Sequence, residues 1–178
     1  MQSRFVWAAV VLLATSAGAA ALVSTESKPA DLAGQITTRM RTTLEQADPG
    51  QHHHAAHQPA TEAQAKAAVI CGVRVYGHEP AEATELADVR RVYGFHLCGV
   101  AEPKVPWDVA VKLAGPVILD MSTQPPGVQV VEATADVRFV DRLRQMFPDK
   151  YAELAVKEAL TAPEMADLRR RYAAAAGI

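Results

Sequence analysis

The sequence predicts an α+β domain: an N-terminal helix, a three-stranded antiparallel meander and two to three C-terminal helices, tied by one disulfide. Three observations predict it. Apolar residues alternate with polar or small ones between 88 and 132, as in strands with two distinct faces. From Phe139 onward they recur at spacings of three and four, the period of a helix. The chain has only two cysteines, Cys71 and Cys98, downstream of a segment patterned for export.

That segment comes first. Arg4 precedes the apolar run 5–14, which passes into the small-residue stretch 16–21. A positive start, a short apolar core and an Ala-x-Ala tail form an export signal. No charged residue interrupts 5–23, about the length of a spanning helix, so a retained membrane anchor is the second reading of residues 1–23. Either reading puts the bulk of the chain outside the cytoplasm, secreted or anchored.

Residues 24–60 read as a spacer, opening with Ser, Thr, Glu, Lys and Pro. Within it, Leu32, Ile36, Met40 and Leu44 fall every fourth residue, and Asp31 can cap the helix they imply. This thin seam suits a fraying helix or a contact with a partner. Asp48-Pro49-Gly50 ends it with turn chemistry. His52, His53, His54 and His57 follow, imidazoles able to ligate Zn, Cu or Ni but with no acid or Cys inside the cluster, which also suits a solvated His-rich linker.

The globular domain is expected over 61–178, enough chain for one core. Thr61 and the alanines after it predict a helix into the mid-seventies, although Cys71, Val73 and Val75 also alternate as in a strand. Strands are predicted over 88–100, over 105–119 with a bulge or edge at Gly115-Pro116, and over 128–132 after the turn Pro125-Pro126-Gly127. Phe139, Leu143, Met146 and Phe147 form one helical stripe, which Pro148 stops. Tyr151 and Leu154 belong to a second helix that Asp149 can cap. Thr161-Ala162-Pro163-Glu164 is a capping box opening a third, with Met165, Leu168 and Tyr172 as its stripe. Arg169-Arg170-Arg171, near its end, reads as a solvated face matched to the helix dipole.

In an oxidising compartment an even cysteine count implies a disulfide, so Cys71 and Cys98 are expected to pair and to tie the first helix to the sheet. Their separation does not suit a redox-active pair. With 18 basic and 20 acidic residues and no basic stripe, the chain lacks the charge footprint of a nucleic-acid binder. It has no nucleophile elbow, phosphate loop, zinc-protease helix or dinucleotide-binding glycine motif, so nothing calls for a cofactor. His96 is the strand histidine that an enzyme would use as a base, given a carboxylate such as Glu79 or Asp120. Tyr93, Phe95, His96 and Trp107 are the candidate ligand-lining residues, against the plain alternative that they fill a core.

The leader, the segment Cys71-Gly72-Val73-Arg74-Val75-Tyr76-Gly77 and the strand Val92-Tyr93-Gly94-Phe95-His96-Leu97-Cys98 together resemble uncharacterised exported single-domain proteins of high-G+C Gram-positive bacteria. The resemblance covers 61–150 beyond the leader and implies no activity or site residue. Helix-then-sheet order is similar to cystatin-like and nuclear-transport-factor-2-like architectures, which host enzymes and binding modules alike. The expectation is an exported, non-catalytic domain that binds a protein or small ligand. The alternatives are an enzyme with a pocket around His96 and metal binding by the 52–57 segment.

Overall fold

A computed structural model describes residues 31–47 and 67–178. The leader, the His-rich segment and the residues at 61–66 lie outside this range, and no described helix is long and apolar enough to cross a membrane.

The seam in the spacer forms α1 (Leu32–Gln46), with the Asp31 side chain accepting from the Gly34 amide at 2.9 Å. Ile36, Met40 and Leu44 are buried against the sheet, so the folded body takes in a helix that patterning alone leaves in the spacer. Burial of apolar side chains of this size stabilises a fold by about 1.5–3 kcal/mol each.

Four strands follow as an antiparallel meander in the order β1 (Ala68–Glu79), β2 (Arg91–Ala101), β3 (Lys112–Asp120) and β4 (Gly127–Val130). The meander thus has one strand more than predicted, because β1 replaces most of the helix expected to run into the mid-seventies. Its alternating Cys71, Val73 and Val75 pair with β2, and this non-local pairing overrides local helix propensity. Residues 105–111, expected to open the second strand, instead form a short turn at Trp107–Val109 before β3 begins. Pro116 sits within β3, opposite Phe95, where the ladder alternation directs its missing N–H away from β2. Its carbonyl accepts from Val131 N.

Both sheet faces are covered. On one, α1 packs over Cys71, Val73, Val92, Cys98, Val117 and Leu119. On the other, α2 (Phe139–Met146) and α3 (Asp149–Lys157) bury Leu143 and Tyr151 around Tyr93 and Ile118. Beside them α4 (Ala162–Ala176) buries Tyr172 against Ala101 and Ala110. The predicted capping box is formed, with Thr161 and Glu164 each satisfying the other's backbone amide. Asp149 is the first residue of α3, not its cap; Pro148 takes the cap position. Gly77 is required by close approach, since a side chain there would begin 2.3 Å from the Tyr151 ring.

Candidate functional site

The disulfide joins Cys71 to Cys98, directly opposed residues of β1 and β2. It therefore links two strands and not a helix to the sheet, which corrects the expectation above. The pair occupies a narrow register position, with Cα atoms 4.0 Å apart, so the Cys71 amide and carbonyl point outward from the sheet edge. Both are capped by side chains. Glu45 of α1 accepts from Cys71 N at 3.0 Å, and Arg171 of α4 donates to Cys71 O at 2.5 Å. Arg171 also donates to Glu45 at 2.8 Å and to Asp167 at 2.9 Å. Hydrogen bonds from Arg171 hold the Asp167 carboxyl below its ordinary range. Arg171 is thus half-buried in a clamp that wraps the exposed edge of β1 from both faces, not part of a solvated run.

A second anchor holds the junction of α3 and α4. Arg74 on β1 donates to Glu158 at 2.6 Å and reaches Glu164 at 3.4 Å. The Tyr76 hydroxyl donates to the Glu158 carbonyl. Burial pushes the Tyr76 hydroxyl up to about 12, with nearby Arg74 opposing the rise.

The four residues picked as ligand-lining do not converge. His96 is 1% exposed on the α1 face, opposite Val73 and Gly115. Tyr93 is 2% exposed on the other face, stacked on Tyr151 and edge-on to Phe147, each with centroids 5.2 Å away. Its hydroxyl donates to Glu79 at 2.8 Å, and burial, then this bond, raises its pKa. Phe95 is half-buried on that same face, across from Arg74 and Pro116. Trp107 lies edge-on to Tyr172 at 5.1 Å and close over Gly99, at the far end of that face. No group of three or more metal-ligating side chains comes together among the described residues, and His52, His53, His54 and His57 lie outside them.

A different place gathers free functional groups. In a meander the β1–β2 and β3–β4 connections lie at one end of the sheet, which brings residues 80–90 beside 121–126. They frame a cleft of about 540 Å³ whose apolar floor includes Val89, Ala83 and Met121. Glu82, Asp88 and Arg90 line it as well, all three exposed and without a side-chain hydrogen bond or ion pair among the described residues. An adjoining cleft of about 510 Å³ shares Pro80, Arg90 and Ser122 and adds Glu79, Arg91 and Asp120. Those last three form one cross-strand row, acid, base, acid. The Ser122 hydroxyl and amide both donate to Asp120, at 2.5 and 2.9 Å, and hold its carboxyl below the usual range.

The frame of the cleft is held by backbone. Arg90 N donates to Glu79 O at 2.7 Å, Met121 N donates to Arg90 O at 2.8 Å, and Ala83 N donates to Pro80 O at 3.2 Å. Sequence reasoning misses this site because a helix running into the mid-seventies leaves no hairpin between 79 and 91. Read as a hairpin turn, the same residues would have placed loops 80–90 and 121–126 side by side.

No protein-family model, no curated protein and no solved structure matches the chain.

Proposed function

We propose that the chain is an exported, non-catalytic domain of the cell envelope or the secreted pool that binds a partner or small ligand. The export-patterned residues 1–23 support this reading, and the Cys71–Cys98 disulfide is compatible with an oxidising compartment. The observation that carries the binding function is the loop-end cleft. Its charged groups have no side-chain partner among the described residues, whereas the side chains best suited to chemistry, His96, Tyr93 and Tyr76, are buried or partly buried in packed layers. Binding domains hold such groups ready for a ligand, at a small number of sites around an apolar floor.

The test has two arms. Cells producing the full chain are fractionated and labelled with a thiol-reactive maleimide. The expected result is an extracytoplasmic protein with no labelled cysteine, and N-terminal sequencing then shows whether 1–23 is removed. Recovery from the cytosol with both thiols labelled and the fold intact would overturn export. In the second arm the purified protein is incubated with chromogenic ester, glycoside, phosphate and peptide substrates. No turnover is expected. Turnover that disappears in His96→Ala would replace the binding reading with an enzymatic one.

A further inference from the structure

We propose that the loop-end cleft binds an apolar amino acid or short peptide by its charged ends, with Arg90 taking a free carboxylate and Asp88 and Glu82 taking the ammonium. The proposal rests on the binding reading above and names its ligand class.

Both signs of charge line the cleft, and among the described residues neither has a side-chain partner. One guanidinium and two carboxylates line the cleft, so a simple anion meets more repulsion than attraction, and a bare cation gains nothing from the arginine. A molecule carrying both charges satisfies all three groups. Arginine offers a planar fork that matches a carboxylate with two parallel hydrogen bonds, and such charge-assisted bonds are the strong ones. Asp88 and Glu82 accept from an ammonium, which donates three.

Between these charges the floor is apolar. Val89 is buried in the core beneath α1, with Ala83 and Met121 packed against that core. It suits an aliphatic side chain. The volume of about 540 Å³ falls within the range of small-ligand sites. The backbone at Arg90 is pinned to β1 and to the residue after β3, and Ala83, Asp88 and Val89 are closed onto Pro80, Glu85 and Leu86 by turn hydrogen bonds. The Arg90 side chain therefore starts from a fixed root, which reduces the entropy lost on binding.

The experiment uses the full oxidised protein and four probes: a free-ended Ala-Val-Leu tripeptide, its C-terminal amide, its N-acetyl form, and the doubly blocked peptide. Binding is followed by chemical shifts and calorimetry. The free-ended peptide is expected to saturate the protein and to shift the amides of 80–90 and 121–122. Amidation should weaken binding about tenfold, and acetylation about three- to tenfold, as expected for charged hydrogen bonds at an open site. Arg90→Gln should abolish the difference between acid and amide while keeping the difference between amine and acetyl. The double variant Glu82→Gln, Asp88→Asn should do the reverse. These surface changes leave the melting temperature in place, which checks that each variant is folded.

Equal binding of all four probes would overturn the proposal, as would no binding of any probe up to about 10 mM, weaker than an ordinary millimolar ligand. Shifts confined to another surface would overturn it too. Each of these outcomes leaves the export and turnover measurements untouched, so failure of the ligand class is distinct from failure of the binding reading.

Discussion

The two ends of the sheet use charge in opposite ways. Around Cys71, every charged side chain of the clamp has a partner within the fold: Arg171 meets Glu45, Asp167 and a backbone carbonyl, and Glu45 also accepts a backbone amide. At the far end of β1, Arg90, Asp88 and Glu82 line a cleft and pair with nothing among the described residues. The contrast teaches how to separate structural from available charge in a domain without catalytic motifs. A charge that closes an exposed strand edge is part of the fold. A charge set on a fixed backbone over an apolar floor, and left unpaired, is free to meet a ligand.

Replacing both cysteines by serine opens the loop between residues 71 and 98 and should lower stability by about 3–4 kcal/mol on the chain-entropy view, read from urea unfolding of the two proteins. Loss of less than about 1 kcal/mol would mean that the clamp and not the disulfide holds this end. Arg171→Met removes one partner of a half-buried network and leaves Glu45 and the Cys71 carbonyl without it. After discounting for solvent screening, the expected loss is on the order of 1–2 kcal/mol. Removing the charge of the loop-end arginine, Arg90→Gln, should change stability by less than about 0.5 kcal/mol. An equal loss at both ends would erase the distinction.

Two titrations sharpen it further. The Asp167 carboxyl is depressed in the folded state by Arg171, so it contributes stability that is present above the ordinary carboxylate range, about pH 4, and is lost as pH falls through its lower folded value. Asp167→Asn should therefore flatten acid unfolding below about pH 4, measured by circular dichroism. Tyr76 behaves oppositely at high pH. Its folded pKa is raised from 10.0 to about 12, so its contribution is full below 10 and disappears as pH rises through 12. Ultraviolet titration should show Tyr76 ionising late, together with Tyr93 and Tyr172, whose pKa values burial also raises, and Tyr76→Phe should reduce the amplitude of that late step by one tyrosine. An ordinary tyrosine titration in the wild type would show that the α3–α4 junction is open to water.

Much of the fold was legible along the chain. The period-two run in β2, the stripe of α2 and the Thr161 capping box state their structures locally, because alternation, helical spacing and cap chemistry depend on near neighbours. The segment 68–79 was not, since its alanine-led start favours a helix until β2 is available to pair with it. The seam of α1 was visible as a helix, but its partner was not, because a narrow apolar stripe does not say which surface covers it. Alternation along the strand already separates His96 from Tyr93 and Phe95, but the turn that lays Trp107 over Gly99 was not legible, because it depends on a contact outside the strand. The site residues Arg90, Asp88 and Glu82 carried no motif at all.

By itself, then, the amino-acid order determined an α+β class, the C-terminal helices, the antiparallel meander and two cysteines suited to pairing, each a consequence of short-range periodicity, caps and residue count. Only the tertiary structure decided that α1 belongs to the core, that the disulfide bridges adjacent strands beneath an Arg171 clamp, and that loops far apart in the chain share one cleft. Those outcomes depend on strand register and on which apolar face meets which, and such distant pairings leave no local mark in a sequence.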